Sequence, residues 1–213
     1  MTLPVVKGAA QLDAFLGRFL RRYAFVNHLN IACFAEAFAR HLRAQTVPRD
    51  PFSLLPMLGL QLHRSPQLFA SRAIWIKTNN TYAIHYSQYE NRSSIRFSLW
   101  HEAFEILAEH PHFPSLLPPA EKERLADRFA ASLLMPDWAI RREVKRFATN
   151  GAGLVAVLAD CFGVSRTAMR RRLREVAPHL YRRRNRSRPW TPLFSHKGKL
   201  SAPCKDGNRT CLI

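Results

Sequence analysis

The 213-residue chain has no apolar run of the roughly 20 residues needed to cross a bilayer, because Arg, His, Asn, Glu or Pro interrupts every candidate. That argues against a membrane span. Its opening residues, Met1-Thr-Leu-Pro-Val-Val-Lys7, lack a basic start followed by an apolar core. No secretory signal is read there, and the cytoplasm is the expected compartment. Cysteine is scarce: Cys33, Cys161, Cys204 and Cys211 are widely spread and form no CxxC pair. This excludes a disulfide framework or a zinc finger and predicts free thiols. Internal repeats are also missing.

Acidic residues are the other shortage. Fifteen Asp and Glu face 33 Lys and Arg, giving a net charge of +18 and an expectation of a polyanionic partner. The excess is uneven, since residues 181–213 carry nine basic side chains against Asp206 alone. This tail reads as a solvated, basic and poorly ordered segment or as a nucleic-acid contact, with Trp190 as a lone aromatic in it.

What is present is a folded protein. Hydrophobic residues at 47% and charged ones at 23% are ordinary globular values, and the length suits one domain with an appendage or two small ones. Residues 10–45 keep apolar side chains at helical spacing (Leu12, Phe15, Phe19, then Ile31, Phe34, Phe38), predicting one long or two consecutive helices. Thr46 to Pro51 reads as a stop and a turn. Short apolar stretches at Leu60–Leu62, Ala73–Ile76 and Tyr82–Tyr86, separated by polar turns, predict a small antiparallel sheet. Helices are then expected from about Ser94 to Glu109, Pro119 to Leu134 and Asp137 to Phe147. After Asn150-Gly-Ala-Gly153, two more join at a tight turn on Gly163. Trp75, Trp100 and Trp138 sit in apolar patterns and are expected in or near the core.

The chemistry concentrates in Trp100-His-Glu-Ala-Phe-Glu105. On a helix, His101 and Glu105 share a face while Glu102 lies one position round, which is metal-binding geometry. The familiar version is HExxH, in which two imidazoles hold zinc and the glutamate acts on water; here Glu105 stands at the second histidine. On the next helix Glu123 and Asp127 are again four apart. A carboxylate at 123 can ligate, and Asp127 can accept a hydrogen bond from the distal nitrogen of His101. Leu125, Phe129 and Leu133 would bury a neighbouring face. Alone, so short a motif is weak, because charged residues four apart on a helix are mostly a solvated face.

Longer runs carry more weight. Arg96-Phe-Ser-Leu-Trp-His-Glu-Ala-Phe-Glu105 and Glu123-Arg-Leu-Ala-Asp-Arg-Phe-Ala-Ala-Ser-Leu-Leu-Met-Pro136 resemble, in order, two signature runs of the ImmA/IrrE metallo-endopeptidases of bacteria and their mobile elements. Phe162-Gly-Val-Ser165, followed by Ala168 and Arg172-Leu173, resembles that family's terminal helix-turn-helix-like segment. The resemblance runs from about Pro48 to Val176.

It implies a zincin-like α+β fold, with a metallopeptidase-like domain over 48–148 and a helix-turn-helix-like segment over 149–180; the N-terminal helices over 1–47 and the basic tail over 181–213 lie outside it. It assigns metal binding to His101 and Glu123, with Glu105 at the departing position, and the general base to Glu102. It implies cleavage of a helix-turn-helix repressor that releases stress or mobile-element genes. One imidazole with two carboxylates is a hard donor set, so manganese or iron competes better with zinc. The extra anion also weakens the metal as a Lewis acid. The alternative is a metal-free pseudo-peptidase that regulates by binding DNA or a repressor. His110 and His112, just past the helix end, are candidate substitute ligands.

The helix pair around Gly163 has its own reading. Ala159 and Val164 would pack, Ser165 would cap, and the second helix would enter a DNA major groove with Arg166 and Arg170 on bases. Arg171, Arg172 and Arg174 would continue the basic surface, with phosphate contacts from Arg182 to Arg188. Equally, the pair would simply pack on the peptidase domain or dock a substrate.

Overall fold

The computed structural model describes residues 9–68, 71–78, 81–147 and 153–178. The basic run 181–213, Trp190 included, lies outside them, as do most of Asn150–Gly153 and the middle of the Lys77–Thr81 turn. Among the described residues no helix is long and apolar enough to cross a membrane. Buried side chains from Leu12 to Val176 form one contiguous core.

The amphipathic N-terminal stretch forms two helices, α1 (Ala9–Leu20) and α2 (Ile31–His41). They are separate because Asn27 and Asn30 tie the intervening turn: the Asn27 amide donates to Asn30 Oδ1 at 2.8 Å, and the Leu29 amide to Asn27 Oδ1 at 2.9 Å. Their apolar faces meet through Phe19, with Phe34 and Phe38 at ring-centroid distances of 5.1 and 5.3 Å. The Thr46–Pro51 stretch is more than a turn. It contains a cis Val47–Pro48 bond and leads into a short helix, α3 (Pro51–Met57). Pro51 suits the first helical turn, where its missing N–H costs nothing. The buried Arg49 fastens the segment, donating to both carboxylate oxygens of Glu36 at 2.7 and 3.0 Å.

The sheet departs from expectation. Strands β1 (Gln61–Ser65), β2 (Ala73–Lys77) and β3 (Tyr82–Ser87) lie in the order β1-β3-β2. β2 pairs antiparallel with β3, but β1 pairs parallel with it, so the sheet is mixed rather than antiparallel. The segment after β1 carries the chain one strand further across, and β3 returns into the gap. Alternation of apolar residues marks a strand but is silent on its neighbour's direction.

Five helices follow: α4 (Arg92–Ala108), α5 (Pro119–Leu134), α6 (Asp137–Phe147), α7 (Leu154–Phe162) and α8 (Arg166–Val176). Asn91 caps α4 by accepting the Ser94 amide at 2.9 Å. α4 is the central helix, buried on nearly every side, with Trp100 and Phe104 wholly inside. α5 lies against it. Small residues at Ala103, Ala126 and Ala130 let the backbones approach, and Phe104 meets Phe129 at 5.2 Å. Leu125, Phe129 and Leu133 are buried, as their spacing predicts.

The α7–α8 turn is built by Gly163, whose φ of +61° closes α7 in the left-handed conformation. Ser165 then caps α8, accepting the Ala168 amide at 3.1 Å. Two expectations fail in this region. Arg172 does not join the basic surface: it is buried, donates from Nε to the Met135 carbonyl at 3.1 Å and pairs with Asp137 and Glu175. Trp138 is 40% exposed rather than near-core, lying under Arg142 with its indole N–H on Glu36. Helical spacing places both residues on a face without saying whether another element covers it.

Candidate metal centre

α4 is polar at few partly buried points, and three of them are His101, Glu102 and Glu105. α4 sets His101 and Glu105 on one face, and α5 brings Glu123 and Asp127 opposite. One donor atom each from His101, Glu105 and Glu123 lies within 4.8 Å of the others. His101 Nε2 is 3.3 Å from Glu123 Oε2, and His101 Nδ1 is 3.1 Å from Asp127 Oδ1. A tetrahedral zinc with bonds of about 2.0–2.2 Å spaces its donors roughly 3.3–3.6 Å apart; the His101–Glu123 separation has that size, and the Glu105 donor lies within 4.8 Å of both. Glu123 stands at the open side with its side chain 63% exposed, whereas His101 is 16% exposed.

The electrostatics follow from the grouping. Burial alone would lower the His101 pKa, but the Asp127 hydrogen bond and the charges of Glu102, Asp127 and Glu123 outweigh it and raise it. Both ring nitrogens face carboxylates, so the surroundings favour a proton or a cation on the ring. A metal on Nε2 would take the place of that proton. Glu102 is pushed from about 4.5 up to about 7, first by burial and then by repulsion from Glu105.

Trp75 joins the site, although the sequence reading placed it only in or near the core. It lies on β2, beside α4. Its backbone N–H donates to Glu102 Oε2 at 3.1 Å and its indole N–H to Glu105 Oε2 at 3.1 Å. One residue therefore holds both carboxylates, leaving the second oxygen of each for other work. The alternation in Ala73-Ile-Trp-Ile76 marks the strand; nothing in it points to the glutamates.

His110 and His112 stay apart from this cluster. His110 is buried, with Nε2 on the Asp13 carbonyl at 3.1 Å and Nδ1 accepting the His112 amide at 3.1 Å, so both its nitrogens are occupied. Arg166, Arg170, Arg171 and Arg174 are all exposed on α8.

No curated protein matches the chain. Among solved structures it is similar to a Mycobacterium tuberculosis transcriptional regulator, at 13% identity and a TM-score of 0.50. The match covers 76% of this chain and 52% of that one, so the chain spans about half the length of the regulator. The IrrE N-terminal-like peptidase domain matches residues 60–174, running from the start of the sheet through the site helices into α8. That is more than half of the chain, which therefore belongs to the IrrE N-terminal-like, or ImmA/IrrE, family of zincin-like metallopeptidase domains.

Proposed function

We propose that the protein is a cytoplasmic metal-dependent endopeptidase that cleaves a helix-turn-helix transcriptional repressor and so releases stress or mobile-element genes. The observation that carries the peptidase reading is the convergence of His101, Glu105 and Glu123 donors beside the carboxylate of Glu102. The repressor target rests on the resemblance to the ImmA/IrrE family alone. Zinc is the favoured ion, and the hard donor set admits manganese or iron.

When bound by His101, Glu105 and Glu123, the ion would act as a Lewis acid on the scissile carbonyl and the attacking water. Asp127 orients His101 by holding Nδ1, which leaves Nε2 directed at the centre. Trp75 fixes Glu102 and Glu105 at one oxygen each. Glu102 takes a proton from the attacking water and delivers it to the leaving amine as the peptide bond breaks. Burial and the Glu105 charge make it a stronger base than an exposed carboxylate, which suits the first of these steps.

Elemental analysis of the purified protein beside a Glu123→Ala variant tests the centre. About one equivalent of metal, lost in the variant, is the expected result. Glu102→Gln should then keep the metal and the fold while abolishing cleavage of the repressor.

A second reading, a regulator that binds DNA or a repressor without cutting, draws on the exposed arginines of α8: Arg166, Arg170, Arg171 and Arg174. It predicts no metal even with excess supplied, together with salt-sensitive DNA binding. Cleavage that depends on Glu102 would exclude it.

A further inference from the structure

A cleft of about 380 Å³ separates the first turns of α4, the second half of α5 and the N-terminal half of α8. Its lining includes Asp127, the partner of His101 Nδ1 at 3.1 Å, so the cleft lies behind the imidazole, on the side away from Nε2 and the candidate metal centre. From Asp127 it follows α5 to Met135, eight residues or about 12 Å of helix. That length takes roughly three to four residues of extended polypeptide.

The lining has a clear chemistry. Phe97, Ala131 and Met135 give it an apolar strip, and Arg72, Arg128, Arg171 and Arg172 outnumber the carboxylates of Asp127 and Glu175 in its lining. The existing partners of Arg72 and Arg171 hold them weakly. Arg72 lies 3.7 Å from Glu90 and Arg171 3.9 Å from Glu175, both with largely exposed guanidinium side chains, and such pairs are worth little. Arg128 makes no ion pair among the described residues.

The same cleft bears on α8. Reading DNA requires the early residues of the second helix to project into a major groove about 12 Å wide. Here Thr167, Ala168 and Arg171 look into the cleft, across to α4 and α5. That face of the helix serves a space sized for a peptide strand.

We propose that this cleft is a docking subsite for the protein substrate, apart from the scissile bond: it takes three or four extended residues, with an Asp or Glu against Arg72, Arg128 and Arg171 and an apolar side chain on Phe97 and Met135. The proposal rests on the peptidase reading for its purpose, but binding in the cleft requires neither metal nor Glu102. α8 is then a wall of the substrate site, which gives the helix-turn-helix-like segment a role in a protease.

The test uses the full chain carrying Glu102→Gln, stripped of metal so that nothing is cut. Fluorescein-labelled octapeptides alternating Leu with Glu, or Leu with Lys, are titrated by anisotropy, and a labelled 20-base-pair DNA duplex is titrated in parallel. The Leu/Glu peptide should bind, and the added pair Arg128→Glu and Arg171→Glu should weaken it at least tenfold. The pair Arg166→Glu and Arg170→Glu, on another face of α8, should weaken it by less than threefold. Equal losses in the two pairs would reduce the effect to general attraction by the net charge and overturn the subsite. So would reversal at 128 and 171 that abolished DNA binding while sparing the peptide. All four arginines are exposed, so the variants should fold, as checked by far-ultraviolet circular dichroism. Failure of the peptidase reading would show separately, as a protein that takes up no metal and a Glu102 without effect on cleavage.

Discussion

Arg96 joins three parts of the fold that local sequence does not connect, and its removal should cost more than that of any exposed arginine. Its side chain is 6% exposed. Nη1 donates to the Phe162 carbonyl at 2.9 Å and the Gly163 carbonyl at 2.7 Å, and Nε lies 3.3 Å from Asp50 Oδ1, just before α3. Arg96→Met keeps the apolar stem but strands two carbonyls at the α7 terminus and leaves Asp50 with the exposed Arg92. Two largely buried carbonyls left unpaired cost about 1–3 kcal/mol each, so a loss of about 3–5 kcal/mol is expected. At a urea m-value of roughly 2–3 kcal/mol/M, the midpoint should fall by at least about 1 M. Arg92→Met is the matched control: it meets the same Asp50 at 3.4 Å, but its side chain is 75% exposed, so about 1 kcal/mol or less is expected. Gly163 should be coupled to Arg96, because a Cβ built there would lie 2.3 Å from Arg96 Nη1. Gly163→Ala should therefore cost only the left-handed backbone penalty of about 1–2 kcal/mol in the Arg96→Met background, and clearly more in the wild type. Equal midpoints for Arg96→Met and Arg92→Met would refute the reasoning, as would strict additivity with Gly163→Ala.

Three further outcomes concern the site. Glu105→His restores a neutral ligand and should raise both metal affinity and cleavage; if a competition titration and a cleavage assay both stay unchanged, position 105 is not a ligand. Trp75→Phe removes the indole N–H from Glu105 and keeps the backbone N–H on Glu102, so metal affinity should drop about tenfold, the usual scale for such supporting groups; an unaltered affinity would deny Trp75 its positioning role. In metal-stripped protein, Glu102 keeps its proton up to about pH 7 when folded but releases it near 4.5 when unfolded. His101 has a raised pKa, and its contribution is likewise present at low pH and lost as pH rises past its folded value. Glu102 makes stability fall between about pH 4.5 and 7, by up to about 3 kcal/mol, and His101 adds to the fall above about pH 6.5. Urea titrations across that range should show the slope, and Glu102→Gln should flatten much of it.

How much could be read in advance depended on whether a feature is local. Helical spacing located α5 and α6 to the residue, because caps, prolines and a one-sided apolar face all act within a few positions. The brief α3 escaped because seven residues holding two prolines carry too little periodicity. The pairing of His101 with Glu105, and of Glu123 with Asp127, was legible because four residues make about one helical turn.

By itself the sequence determined the helices after the sheet, the family, the excess of positive charge and the identity of the donors on each site helix. Only the tertiary structure decided what lay across from them. Packing of α4 on α5 turned two separate carboxylate and imidazole faces into one cluster within 4.8 Å. The placement of β2 put Trp75 on Glu102 and Glu105, and the α7–α8 turn buried Arg172 and closed a cleft beside Asp127. The physical reason is one of range. Propensity and periodicity act over a turn or two of chain, whereas a strand's partner, a helix's hidden face and a buried charge's counterpart are set by elements tens of residues away.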